Sequence, residues 1–180
     1  MKSTTTRKVQ FLVQSAMIAA IYAVLTLAAA ALNLAYGAVQ FRFSEAMTIL
    51  PVFTPAAIPG LALGCFLSNL ASPLGPVDWV FGTAATLLAA VLSYLTRNIR
   101  IKGMPVLSAC FPVLCNAVII GLEIVWLAVL DGGGSLWAAF LPTALSVGAG
   151  ELVICGALGL PLASVLERTG AAKRIFCHSI

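Results

Sequence analysis

The chain has 180 residues, of which 61% are hydrophobic and 9% are charged, and its formal net charge is +4. A soluble domain carries about 25% charged residues, so this composition excludes an ordinary water-soluble domain. The basic excess does not predict nucleic-acid binding, because membrane topology gives a simpler explanation for where the basic residues lie.

Long apolar segments recur along the chain. Residues 9–32 contain no charged side chain, and a helix of roughly 20 apolar residues can cross a bilayer. A cleavable signal sequence has a shorter apolar region of about 7–15 residues, so this first segment is predicted to remain as a helix. The sequence predicts an all-α membrane protein, a single integral membrane domain over residues 1–180, with six transmembrane helices. The predicted spans are Val9–Leu32, Phe43–Phe53, Ala56–Leu70, Val77–Thr96, Met104–Leu130 and Leu141–Leu166.

The second and third predicted spans are short, and prolines separate them. Pro51, Pro55 and Pro59 lie between or within them, followed by Gly60. They could be two short spans or one re-entrant pair. In both cases the chain returns to the same side of the membrane by Leu70.

The basic residues define the sides of the membrane. With six spans, three clusters fall on one side, and the positive-inside rule makes that side the cytoplasm. Both termini are therefore predicted to be cytoplasmic, and of the ten basic residues Arg42 alone is predicted on the other side. The clusters are Lys2, Arg7 and Lys8; Arg97, Arg100 and Lys102; and Arg168, Lys173 and Arg174.

The remaining polar residues converge on the outer half of the membrane. Glu123 lies seven residues before the outer end of its span, about 10 Å deep at 1.5 Å per residue. Glu151 lies ten residues below Leu141, about 15 Å deep. Intramembrane acids are costly and usually face a cavity or a partner, so a substrate pocket opening outward is predicted. Its candidate residues are Arg42, Glu45, Asn69, Asp78, Asn116, Glu123, Trp126 and Glu151.

Helical spacing suggests the kind of ligand. Asn116 and Glu123 are seven residues apart and share a helix face, and Trp126 is predicted to continue that face three residues later. A wall with an acid, an amide and an indole suits a planar, hydrogen-bonding molecule.

Each candidate also has a purely structural interpretation. Arg42 and Glu45 could neutralise each other at the membrane interface, and the two intramembrane glutamates could pair with backbone or hydroxyl groups. Asp78 and Asn69 could cap their helices. Trp126 could belong to an aromatic belt at the membrane boundary.

Several chemistries are absent from the sequence. There is no Gly-Lys dipeptide, so a P-loop is impossible, and ATP-driven transport would require another protein to hydrolyse ATP. The five cysteines form no C-x-x-C pair, and His178 is the only histidine, so neither a metal site nor another bound cofactor is predicted.

Small residues at a spacing of four allow helices to approach closely in lipid. Ala16 and Ala20 form one such pair, and Gly60 and Gly64 form another. They could contact a partner subunit or serve packing within one chain.

Two stretches resemble a known family. "VQFRFSEAMTILPVFTPAAIPGLALGC" (39–65) and "DWVFGTAATLLAA" (78–90) resemble the queuosine-precursor transporters of the QueT type, which are substrate-binding S components of energy-coupling factor (ECF) transporters. The motifs Q-F-R-x-S-E-A and D-x-x-F-G-T carry most of the resemblance, which covers about 50 residues closely and agrees elsewhere in the number and orientation of spans.

The resemblance implies the ECF S-component fold with six helices. It implies partners, namely a membrane T component and two cytoplasmic ATPases, and no nucleic acid. It also implies that alanines of the first helix face the T component. Ala16 and Ala20 match that pattern, whereas Val24 occupies the next place, so the alanine series is shorter here.

The cargo implied by the resemblance is a 7-deazaguanine, in its aminomethyl or cyano form. A carboxylate from Glu45, Glu123 or Glu151 could accept the adjacent N–H donors of a guanine-like edge. Arg42 or Asn116 could donate to the ring carbonyl, and an aromatic residue such as Trp126 or Phe41 could stack on the flat face.

Other functions stay open at this point. The chain could be an S component for another vitamin-like heterocycle, or a self-sufficient secondary transporter in which Glu123 or Glu151 relays protons. An enzyme is not predicted, because no nucleophile–base pair and no metal cluster appear in the sequence.

Overall fold

The computed structural model of the chain describes residues 4–35, 40–132 and 135–176. All regular elements within these ranges are helical. Lys2, Cys177 and His178, which the sequence analysis discussed, lie outside them. In chain order the elements are α1 (Thr4–Ala31), a 3₁₀ helix (Phe43–Val52), α2 (Ala57–Asn69), α3 (Pro76–Leu95), α4 (Val106–Leu130), α5 (Leu136–Ile154), a π-helical turn (Cys155–Gly159), α6 (Leu160–Arg168) and α7 (Ala171–Phe176).

Four helices of the described chain are long and apolar enough to cross a membrane. They are α1, α3, α4 and the continuous helix Leu136–Arg168, which joins α5, the π turn and α6. These correspond to the first, fourth, fifth and sixth predicted spans. The second and third predicted spans form the 3₁₀ helix and α2, which are shorter apolar helices. With 13 residues, α2 is only about 20 Å long at 1.5 Å per residue.

The 3₁₀ helix and α2 form a hairpin inside the bundle. The 3₁₀ helix runs antiparallel to α1, because Ser44 Oγ lies 2.7 Å from Thr26 Oγ1 and, further along the chain, Ser15 Oγ donates a hydrogen bond to the carbonyl oxygen of Ala56 at 2.9 Å. The turn of the hairpin therefore lies beside Ser15, and α2 then runs back in the direction of α1. Both ends of the hairpin thus lie at the same end of the molecule.

Two glycines allow α2 to lie directly against α1. A Cβ at Gly64 would lie 2.8 Å from the carbonyl oxygen of Ala19, and a Cβ at Gly60 would lie 2.8 Å from that of Ser15. This is the close helix approach that small residues permit in lipid. The Gly60–Gly64 pair therefore serves packing within the chain. Ala16 and Ala20 lie on the exposed face of α1 instead.

The described basic clusters lie at one end of the molecule, which we call the basic end. Arg100, in the loop after α3, forms a 2.6 Å ion pair with Glu167 near the end of α6. Gln14 Nε2 in the first half of α1 donates a 2.8 Å hydrogen bond to the carbonyl oxygen of Ile175 in α7. The start of α1, the α3–α4 loop and the C-terminal helices therefore meet there. The opposite end, where α1 and α2 finish and α3 begins, we call the polar end.

The hydrophobic core surrounds the hairpin. Its largest cluster joins Ile18 and Tyr22 of α1, Leu50 of the 3₁₀ helix, Leu61 of α2 and Phe176 of α7. Residues 44–52 of the 3₁₀ helix are all buried. This cluster packs the hairpin against α1 and α7.

Candidate functional site

Seven of the eight candidate binding residues are buried, and we call this group the polar cluster. They come from five different helical elements or their ends, and each is at most 5% exposed. Buried polar and charged groups are costly unless they are paired or bind something. The members of the polar cluster are Arg42, Glu45, Asn69, Asp78, Asn116, Glu123 and Glu151.

Arg42, Asp78 and Asn69 form the part of the polar cluster at the polar end. Arg42 Nη2 lies 3.7 Å from Asp78 Oδ2 in an ion pair that is almost completely buried. Asn69 Nδ2 donates to the backbone oxygen of Asp78 at 3.0 Å and to its Oδ1 at 3.2 Å. A Cβ at Gly82 would lie 2.6 Å from Asp78 Oδ1, so glycine on the next turn of α3 makes room for this contact.

These contacts decide between the alternatives for Asp78 and Asn69. Gly75 is the N-cap of α3 and Leu70 is the C-cap of α2, so neither side chain occupies a cap position. Asn69 and Asp78 instead join the ends of α2 and α3 to each other.

A second group of contacts lies deeper in the bundle. The Tyr22 hydroxyl donates to Glu45 Oε1, which joins α1 to the 3₁₀ helix. Asn116 Nδ2 donates to Glu151 Oε1 at 2.8 Å, which joins α4 to α5. Cys155 connects the two pairs, because its Sγ lies 3.7 Å from the backbone oxygen of Glu45 and 3.9 Å from Glu151 Oε2.

The helix geometry explains why these groups meet. In a 3₁₀ helix residues three apart lie on the same face, so Glu45 and Thr48 point the same way. Thr48 Oγ1 lies 3.8 Å from Cys155 Sγ in the π turn. Long 3₁₀ helices and π turns are uncommon and are often found at functional sites. Here the two irregular elements face each other where the acids gather.

Glu123 lacks the partners that its neighbours have. Both of its carboxylate oxygens are buried, and neither has a hydrogen-bond partner among the described residues. It lies seven residues after Asn116 on α4, so both buried side chains point to the same side of that helix. In native proteins a buried polar group without a partner is rare and needs an explanation, and a bound ligand is one.

The 3₁₀ helix joins the two parts of the polar cluster. Arg42 and Glu45 lie three residues apart at its start, and Cys155 links Glu45 to Glu151. The predicted convergence of these acids is thus present in the structure. Their role in substrate binding stays a prediction.

The structure places Trp126 elsewhere. Its side chain is 43% exposed, and its ring packs edge-to-face on that of Phe81, with the centroids 6.1 Å apart. Trp126 is therefore much more exposed than Asn116 and Glu123, and its role in binding stays a prediction. Phe41, which is half-buried, lies next to Arg42 in the chain and is the better candidate for stacking.

Tyr22 and Cys155 are two members of the site that the sequence analysis did not predict. Tyr22 is completely buried in α1 and Cys155 is 2% exposed. A signal was present for Tyr22, since Ser15, Tyr22 and Thr26 lie on one face of an otherwise apolar helix. For Cys155 the signal was its position four residues after Glu151, on the same helix face, although a cysteine in an apolar run is usually a small buried hydrophobe.

Within residues 4–35, 40–132 and 135–176, no group of three or more His, Cys, Asp or Glu side chains is arranged to hold a metal ion. The described cysteines Cys65, Cys110, Cys115 and Cys155 are free thiols. The polar cluster thus consists of hydrogen-bonding and charged side chains.

Comparisons with known proteins agree with this description. The family model described as the QueT transporter matches residues 12–168. A curated relative, the queuosine precursor transporter QueT of Lactococcus lactis subsp. cremoris (strain MG1363), is 33% identical over 84 residues. That match covers 47% of this chain and 49% of the relative, so it spans about half the length of each protein. No solved structure matches the chain.

The family match extends from the first half of α1 to the last residue of α6 and includes every member of the polar cluster. It agrees with a multi-pass membrane protein, in which four helices of the described residues are long enough to span the bilayer. The chain belongs to the QueT transporter family.

Proposed function

We propose that the chain is the membrane-embedded, substrate-binding S component of an ATP-driven ECF importer, and that its substrate is a queuosine precursor of the 7-deazaguanine class. Membership of the QueT family and the name of the Lactococcus lactis relative support the substrate class. The resemblance of residues 39–65 and 78–90 to S components supports the subunit type.

The observation that carries this proposal is the partnerless carboxylate of Glu123. Its two oxygens are buried without a hydrogen-bond donor in the described part of the chain. The edge of a guanine-like ring presents adjacent N–H donors, which one carboxylate can accept together. A ligand of this class would therefore supply the bonds that Glu123 lacks.

Other members of the polar cluster offer the complementary groups. Arg42 has five N–H donors, so its guanidinium can donate to a ring carbonyl while the ion pair with Asp78 persists. Asn69 Oδ1 is buried without a donor among the described residues and can accept a further ligand N–H. The half-buried ring of Phe41 can stack on the flat face of the ligand.

The distribution of charge supports an orientation with the polar end outside. The described basic clusters lie at the basic end, and the positive-inside rule directs such clusters to the cytoplasm. In this orientation both termini are cytoplasmic, and the polar cluster lies in the outer half of the membrane. It can then capture a substrate from outside.

Energy would come from partner subunits. The sequence has no P-loop, so we assign ATP hydrolysis to two ATPase subunits and propose that a T component contacts this chain. Ala16 and Ala20 lie on an exposed face of α1, where small side chains permit close contact with a second helix in lipid.

Binding and transport by the purified chain test the proposal. Alone in detergent, the chain is expected to bind a 7-deazaguanine, and at a hundredfold excess over the Kd the ligand should add about 2.7 kcal/mol of stability. In liposomes the lone chain should accumulate none, and co-reconstitution with a T component, two ATPases and ATP should produce uptake. Uptake by the lone chain driven by a proton gradient would contradict the S-component assignment. Absence of binding would contradict the substrate class.

A further inference from the structure

The acids of the polar cluster outnumber its cations. Four carboxylates belong to it, from Glu45, Asp78, Glu123 and Glu151, whereas Arg42 is its one basic residue. Every other Lys or Arg of the described chain lies at the basic end or in the adjacent tails. Arg42 forms its ion pair with Asp78. The site therefore contains one guanidinium group and four buried carboxyl groups.

Glu45 and Glu151 are the two acids held close together in the deeper part of the site. Cys155 Sγ lies 3.7 Å from the backbone oxygen of Glu45 and 3.9 Å from the Glu151 carboxylate, so one side chain contacts both residues. Like charges at such a site disfavour each other, and a cation between them removes the repulsion.

Each of these carboxylates is fixed through one oxygen and available through the other. Tyr22 holds Glu45 Oε1, while Glu45 Oε2 is buried without a partner among the described residues. Asn116 holds Glu151 Oε1 at 2.8 Å, while Glu151 Oε2 meets the Cys155 thiol, which is a weak donor. The pair is therefore oriented by strong donors and has two oxygens left for a cation.

An ammonium group fits this pair better than a metal ion does. No metal-holding group of three or more ligating side chains occurs in the described ranges. A primary ammonium is a compact charge with three N–H donors, enough to reach both available oxygens.

We propose that Glu45 and Glu151 form a subsite for a primary ammonium group of the ligand. This inference rests on the proposed function, and it makes the aminomethyl form of 7-deazaguanine the preferred substrate over the neutral cyano form. Glu123 binds the ring edge that both forms share, and the Glu45–Glu151 pair binds the substituent that distinguishes them.

Two ligands and three variants test the proposal. The wild-type chain is expected to bind 7-aminomethyl-7-deazaguanine about tenfold to a hundredfold more tightly than 7-cyano-7-deazaguanine, the range expected for one hydrogen bond to a charged group. Glu151→Gln keeps an oxygen acceptor for Asn116, so it should reduce that ratio about tenfold or more, by lowering the affinity for the aminomethyl form much more than the affinity for the cyano form. Glu45→Gln should act in the same direction, and Glu167→Gln, at the basic end, should preserve the ratio.

A thermal unfolding transition of each ligand-free variant as sharp as that of the wild-type chain shows that the variant is folded, so loss of selectivity can be told apart from loss of structure. Equal affinities of the wild-type chain for both ligands would overturn the ammonium subsite and leave the proposed function in place. A selectivity ratio unchanged in both Glu151→Gln and Glu45→Gln would also overturn it. If neither ligand bound the wild-type chain, the proposed function would fail, and the subsite with it.

Discussion

Replacement of Glu123 by glutamine is expected to weaken binding of a 7-deazaguanine by about 30-fold to 1,000-fold. Glutamine is similar in size, but it presents an amide N–H₂ where the ligand also presents donors. The loss corresponds to about 2–4 kcal/mol, the range for one or two hydrogen bonds to a charged group. The affinities for the aminomethyl and the cyano form should fall by about the same factor. Titration calorimetry of the purified variant measures both Kd values.

Without ligand, the same substitution should leave the thermal stability of the protein unchanged or increase it. Glu123 has no hydrogen-bond partner among the described residues, so Glu123→Gln breaks no internal hydrogen bond and removes a buried charge. The unfolding temperature without ligand should stay the same or rise, as happens when a residue serves function at the expense of stability. Glu167→Gln, a matched change at a partly exposed acid of the basic end, should alter neither property. Undiminished affinity of Glu123→Gln would contradict the role assigned to this carboxylate.

Replacement of Arg42 by glutamine is expected to destabilise the protein strongly. The ion pair of Arg42 with Asp78 is almost completely buried, and removing one partner of a buried pair costs about 3–5 kcal/mol because the other charge is left uncompensated. Thermal unfolding in detergent, followed by tryptophan fluorescence, measures the loss. Arg100→Gln provides the control, because the Arg100–Glu167 pair is about one-third exposed and such pairs contribute about 0–1 kcal/mol.

The double variant Arg42→Gln, Asp78→Asn separates loss of the pair from loss of the arginine itself. Without either charge, no unpaired ion stays buried, so the double variant should be more stable than Arg42→Gln alone. The coupling energy should be about 0.5–3 kcal/mol, as for residues in direct contact. Strict additivity of the two single substitutions would show that the ion pair does not account for the stability of this region.

The sequence predicted the long helices and the burial of the acids well, because both follow from the cost of placing polar groups in lipid. Residues 9–32 contain no charged side chain and can therefore enter the bilayer. A segment that spans the bilayer must satisfy its own backbone hydrogen bonds, so it is expected to be helical. Glu123 and Glu151 lie within long apolar segments, so their convergence followed from the same cost. The structure buries both of them, and Asn116 as well, as that argument predicts.

The hairpin and the deeper contacts could not be predicted in the same way. Hydropathy measures composition along the chain and does not distinguish a 3₁₀ helix from an α-helix. The shared face of Glu45 and Thr48 depends on the 3₁₀ geometry, so it could not be predicted from the sequence. The π turn at Cys155–Gly159 likewise has no clear sequence signal. The partial exposure of Trp126 could not be predicted either, because spacing alone does not say on which side of a helix the neighbouring helices pack.

A ligand-bound structure of this chain is the most direct measurement of whether the buried acids surround the substrate. With 7-aminomethyl-7-deazaguanine bound, we expect the ring edge within hydrogen-bonding distance of Glu123 and the ammonium group between Glu45 and Glu151. Ligand density on the exposed surface around Trp126 and Phe81, with the carboxylates of the polar cluster still without ligand contacts, would contradict the account.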